Sequence, residues 1–87
     1  MRKFRMTIET DVEIELADEV INVVDDEWRK QLYDLHGAEE IAVHIGYNMV
    51  INNAKLSELD GWADQLDKNA KITLRPDWSV SYIQEIK

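Results

Sequence analysis

Eighty-seven residues suffice for one hydrophobic core and not for two, and an apolar fraction of 45% with three tryptophans, three tyrosines and one phenylalanine supplies the large side chains to fill it. The chain has no cysteine, which excludes a disulfide framework and thiolate metal sites and sets the expectation of a cytoplasmic protein. Eighteen acidic against ten basic residues give a formal net charge of −8, which argues against direct contact with nucleic acid or an anionic membrane.

The charge is unevenly spread. Between Glu9 and Asp67 there are sixteen acids and three bases, whereas residues 1–8 carry three bases and no acid. The start, Met1 to Met6, is basic, but Thr7, Glu9 and Asp11 interrupt the apolar run that a signal peptide requires, and no later apolar run is long enough to span a bilayer.

In chain order, the first element is a strand. Phe4, Met6, Ile8, Thr10, Val12, Ile14 and Leu16 occupy the even positions, and Arg5, Thr7, Glu9, Asp11, Glu13 and Glu15 the odd ones, a period of two with one apolar and one charged side. Its length predicts a bulge or bend near Thr10-Asp11. Ala17 to Val24 reads as a short helix with Asp18-Glu19 in its first turn, a strand over Val20–Val24 being the alternative. Asp25 or Asp26 caps a second helix in which Trp28, Leu32 and Leu35 recur at helical spacing, ended by His36-Gly37. A third and central helix runs from Ala38 to Asn52, with Ile41, Ala42, Ile45, Met49 and Val50 on one broad side and Glu40, His44, Asn48 and Asn52 as a polar stripe. Ser57 opens a short helical or turn segment reaching Leu66. The tail, from Lys71 to Tyr82, holds two alternating runs around Arg75-Pro76-Asp77-Trp78, a type I turn signal. The expected fold is α+β: a three-stranded antiparallel sheet made of the long N-terminal strand and a C-terminal hairpin, with two or three helices packed on one face in the order β-α-α-α-β-β, all in a single domain, 1–87.

The most specific chemical pattern is the row Glu9, Asp11, Glu13 and Glu15. Alternate residues of a strand stand about 6.6 Å apart on one side, a spacing comparable to that of phosphates along a nucleic-acid strand, so the row is able to fill a basic groove built for DNA or RNA. A solvated sheet face, or an edge strand guarded by charge, uses the same residues. Asp25-Asp26-Glu27 extends the acidic theme beyond what one helix cap needs, whereas Asp18, Glu19, Glu39 and Glu40 fit the ordinary preference for acids at helix starts. Asp60, Asp64 and Asp67 form a weaker third group. His36 and His44 match no metal or catalytic spacing, although Glu40 and His44 are one turn apart and Asp34 is placed to orient His36. No cofactor, metal or catalytic residue is therefore expected. Trp28 and Trp78 are expected in the core, and Trp62, beside Gly61, is expected to be partly exposed near Tyr47.

Asp25-Asp26-Glu27-Trp28-Arg29, then Ile41-Ala42-Val43-His44-Ile45-Gly46-Tyr47-Asn48, and then Leu59-Asp60-Gly61-Trp62-Ala63-Asp64 resemble segments of small phage-encoded proteins, a likeness spanning roughly residues 4–66. The resemblance implies a setting in which short acidic proteins inhibit host defence, as anti-CRISPR and anti-restriction proteins do, and it carries over no functional residue. Together these readings predict a non-enzymatic stoichiometric inhibitor or nucleic-acid mimic in the host cytoplasm. Its partner-binding residues Glu9, Asp11, Glu13, Glu15, Asp25, Asp26 and Glu27 would block the basic nucleic-acid-binding groove of a host protein, with a CRISPR effector or a restriction enzyme as candidates. The rival expectation is a small accessory or oligomerising domain, a homodimer among its forms, whose acidity serves solubility and whose contacts run through the apolar helix, an unpaired sheet edge, or Trp62 and Tyr47.

Overall fold

Strict alternation of apolar and charged residues extends the first strand, β1, over Lys3–Leu16. The computed structural model describes the backbone of residues 1–87 and the side chains of all but 75–78. After β1 come α1 (Asp18–Asn22), α2 (Asp26–Gln31), α3 (Gly37–Ile51), 3-10 turns at Leu56–Glu58 and Asp67–Asn69, and β2 (Ala70–Ile86). The class is α+β with an antiparallel sheet and three helices, in the expected order.

Two β runs close the chain, and both lie antiparallel to β1, residues 70–74 against 12–16 and residues 78–86 against 3–10. They follow one another along the same β1 partner instead of folding back as a hairpin, so among the described residues the sheet is a ribbon of β1 and β2. Strand length accounts for this. The fourteen residues of β1 offer roughly 46 Å of edge, and laying both runs along it pairs backbone groups that a hairpin would leave open on half of β1. The turn expected at Arg75-Pro76-Asp77-Trp78 and the core position expected for Trp78 lie outside the described side chains. The register slips between Thr7 and Ile8 and between Thr10 and Val12, the extra residues sitting on β2, and the second slip coincides with the irregularity expected near Thr10-Asp11.

The helices begin and end for local reasons. Asp18 and Glu19 occupy the first turn of α1, where the helix dipole favours acids, and Ala17 N–H donates to the Asn69 carbonyl at 2.8 Å, tying this turn to the start of β2. Asp25 caps α2 by accepting from Trp28 N–H at 2.9 Å. That helix stops at Gln31, short of the expected Leu35, because Leu32 leaves helical geometry and Arg29 Nε–H reaches ahead to the Leu35 carbonyl at 2.7 Å. Leu35 thus packs on the core from a loop, and Leu32 stays exposed. The end of α3 is marked by Asn53 in the left-handed region, φ +52°, with Ala54 N–H donating to the Asn48 carbonyl.

The core sits at the base of the ribbon. Val20, Val24, Trp28, Ile41, Ile45, Leu56, Leu59, Trp62 and Ala70 are buried together, with Ile14, Leu16 and Met49 packed against them. Trp62, expected at the surface, is fully buried at the centre. A turn in which Trp62 N–H donates to the Leu59 carbonyl folds its indole inward, where Nε1–H donates to the Val20 carbonyl at 2.9 Å and the ring lies 4.9 Å from that of Trp28. The helical body reaches only Ile14 and Leu16 of β1, and every residue from Lys3 to Glu13 is exposed. The rest of the ribbon projects, giving extents of 51 × 26 × 21 Å.

Gly46 lies inside α3 above the ribbon, where an added methyl would meet Ile14 Cδ1 at 3.6 Å and Ile72 Cδ1 at 3.9 Å, ordinary contact distances. A glycine in a helix interior is less favourable than alanine by about 1 kcal/mol. Gly46→Ala is therefore expected to raise the thermal midpoint by several degrees, read by circular dichroism.

Candidate interaction surface

The sequence-predicted row is assembled by β1. Glu9, Asp11, Glu13 and Glu15 alternate along a continuous strand and all four are exposed, on the side opposite Ile8, Val12 and Ile14. Across the ribbon Glu15 stands opposite Lys71, Glu13 opposite Thr73 and Glu9 opposite Ser79, while Asp11 occupies the second register slip. At the ribbon tip the charge changes sign: Arg2 donates to Glu85 through Nε at 2.6 Å and through its terminal nitrogen at 2.8 Å, holding the Glu85 carboxyl below the usual range, and its guanidinium lies over the Phe4 ring.

Asp25, Asp26 and Glu27 belong to a different element, and local bonds occupy each of them. Asp25 is the α2 cap, Asp26 accepts from Arg29 at 2.9 Å, and Glu27 faces Lys30 at 3.9 Å, both pairs one helical turn apart. The third acidic group is dispersed in turns, and Asp67 is held below its usual pKa by hydrogen bonds from Ser57, from its hydroxyl first and then from its N–H, which donates at 3.0 Å.

Neither histidine joins a reactive constellation. His36 Nε2 contacts Asp34 at 2.6 Å in the open, and Glu40 accepts from His36 N–H at the start of α3 in place of joining His44. Among the described residues no cluster of three or more potential metal ligands occurs. His44 is partly buried between the Tyr33 ring, 4.5 Å away, and the Trp62 ring, 5.9 Å away, and this burial lowers its pKa. Because the unfolded chain then binds a proton at a pH where the folded one does not, stability is full above the unfolded value near 6.5 and falls as pH drops towards the folded value. The denaturation midpoint should decline as pH falls below about 6.5, and His44→Phe should flatten that decline.

The surface that sequence reading missed is the apolar side of the projecting ribbon. Met6, Ile8, Leu74 and Ile83 are 50%, 53%, 57% and 60% exposed, and Val12 and Val80 complete the band. It runs into a groove of about 370 Å³ lined by Val12 and Ile14 of β1 and by Val43, Tyr47, Val50 and Ile51 on the outer side of α3. The signal was one of lengths: the fifteen residues of α3 extend about 22 Å, under half the length of β1, so its apolar positions outnumber what the helix can cover. Comparison with protein-family models, curated proteins and solved structures finds no match for the chain.

Proposed function

We propose that this protein is a non-catalytic, stoichiometric inhibitor whose acidic strand face occupies the basic nucleic-acid-binding groove of a host defence protein, a CRISPR effector or a restriction enzyme being the candidate classes. The reading is supported above all by the placement of Glu9, Asp11, Glu13 and Glu15, exposed in register on a strand that stands clear of the helical body. Charge steers the encounter and makes it fast at low salt. Asp25, Asp26 and Glu27 lie at the start of α2, away from the strand, and contribute at the rim, Asp25 as the helix cap and Asp26 and Glu27 beside Arg29 and Lys30.

Affinity capture from cells that carry CRISPR and restriction systems, followed by mass spectrometry, tests this. The expected catch is a basic nucleic-acid-handling protein retained by the native chain and lost with the combined variant Glu9→Gln, Asp11→Asn, Glu13→Gln and Glu15→Gln. Equal retention by both chains would overturn the proposal. The oligomerising alternative is favoured by one specific observation, the exposed apolar side of the ribbon, and the two readings concern different parts of the same element.

A further inference from the structure

We infer that the open edge of β1 pairs antiparallel with the β1 edge of a second copy of this chain, making a four-stranded sheet in which each ribbon tip lies beside the other copy's helical body. The inference concerns the outer edge and the apolar side of β1, and of the acidic row it engages Asp11, which it sets opposite Arg5 of the second copy.

The size of the surface calls for a partner. A folded monomer of this mass, 10.2 kDa, exposes about 5,300 Å², whereas this chain exposes 6891 Å². The excess, roughly 1,600 Å² per chain, is about twice what each side of a standard protein interface buries and falls in the range of permanent homodimers. The radius of gyration agrees, at 16.4 Å against about 12 Å for a globule of this length. Among the described residues β1 is paired on one edge only, leaving alternate backbone N–H and C=O groups of a fourteen-residue strand directed outward.

A second copy satisfies that edge better than an unrelated strand, because β1 is polar along its length. Lys3 and Arg5 stand at its beginning, and Glu9, Asp11, Glu13 and Glu15 follow. A two-fold axis reverses the second strand, so unlike ends meet and each contact occurs twice. With the axis at Ile8, Ile8 faces the same residue of the other copy, Arg5 faces Asp11, and Phe4 faces Val12. Even positions then share one side throughout, so the apolar sides of the two ribbons are continuous.

The groove beside α3 completes the fit. Its β-strand lining comes from Val12 and Ile14 of β1, so it opens towards the β1 edge. The same register places the second copy's Phe4 next to Val12, at the mouth of the groove, with Met6 one step behind. The outer side of α3, where Val43, Tyr47 and Ile51 are exposed, then roofs the incoming tip.

Sedimentation equilibrium and cross-linking test the arrangement on the full chain. The native protein is expected at twice the chain mass. The chain has no cysteine, so Ile8→Cys introduces a lone thiol. Directly opposed strand residues bring Cα atoms to about 4.5–5.5 Å, within disulfide range, so this variant should cross-link quantitatively under mild oxidation and Ser79→Cys, on β2, far more slowly. Arg5→Glu should weaken the dimer about tenfold by setting like charges across the edge, and adding Asp11→Arg should restore it. A monomer at every concentration up to the solubility limit overturns the inference. So does a dimer whose Ile8→Cys form cross-links no faster than Ser79→Cys, and so does a dimer indifferent to Arg5→Glu. A monomer that still displaces nucleic acid from a basic protein overturns this inference alone, and a dimer that displaces none overturns only the proposed function.

Discussion

Trp62→Ala is expected to unfold the protein at ambient temperature. The indole is the largest fully buried side chain and touches the centre of a core of nine buried residues. Truncating a buried tryptophan costs about 3–5 kcal/mol in lost burial and cavity. The Val20 carbonyl, which accepts from Trp62 Nε1–H at 2.9 Å, would lose its partner at a further cost of about 1–3 kcal/mol. A domain of this length is stable by roughly 4–13 kcal/mol, so the sum approaches the whole. Trp62→Phe keeps most of the volume and loses the donor, and it should fold with a lowered urea midpoint. Circular dichroism and urea titration of the two variants check both statements; a cooperative, near-native transition for Trp62→Ala would show that the core lies elsewhere.

Gly61→Ala is expected to cost about 2–5 kcal/mol, combining left-handed backbone strain with overpacking. Gly61 has φ +96°, and a methyl there would come within 2.5 Å of Trp28 Cζ2 and 2.6 Å of Trp28 Nε1. The Trp28 ring has no room to yield, being held 4.9 Å from Trp62 and bonded through Nε1–H to the Gly61 carbonyl at 3.3 Å. Placing Gly61→Ala in a Trp28→Leu background should remove the clash and leave the strain, so the two changes should be non-additive in a denaturation cycle. The contrast with Gly46→Ala is diagnostic, since that glycine has ordinary space around it and regular helical backbone.

Periodicity carried most of the architecture. The alternation from Phe4 to Leu16 and the helical spacing of Ile41, Ile45 and Met49 each correspond to an element, because one face of each meets the core or follows the strand pleat. What periodicity could not convey was pairing. The runs after Lys71 look the same whether they pair with each other or with β1, and the choice depends on how much β1 edge is available. Trp62 was misplaced for a related reason: a turn-rich neighbourhood usually means surface, but here the turn folds the largest ring into a small interior. The acidic row was legible because strand geometry alone fixes it. The apolar side of the ribbon was visible as a pattern and misassigned to the core, since sequence does not reveal how far a helical layer reaches.

Competition for a basic groove measures directly what the row of outward carboxylates on β1 does. In a mobility assay, labelled DNA bound to a CRISPR effector or restriction enzyme retained in the capture experiment is titrated with the native chain and with the four-residue neutral variant at low and high salt. Displacement is expected at about one equivalent, weakening steeply as salt screens the row, with none by the neutral variant, whose circular dichroism is unchanged. Displacement that is insensitive to salt and equal for both chains would contradict the proposed function.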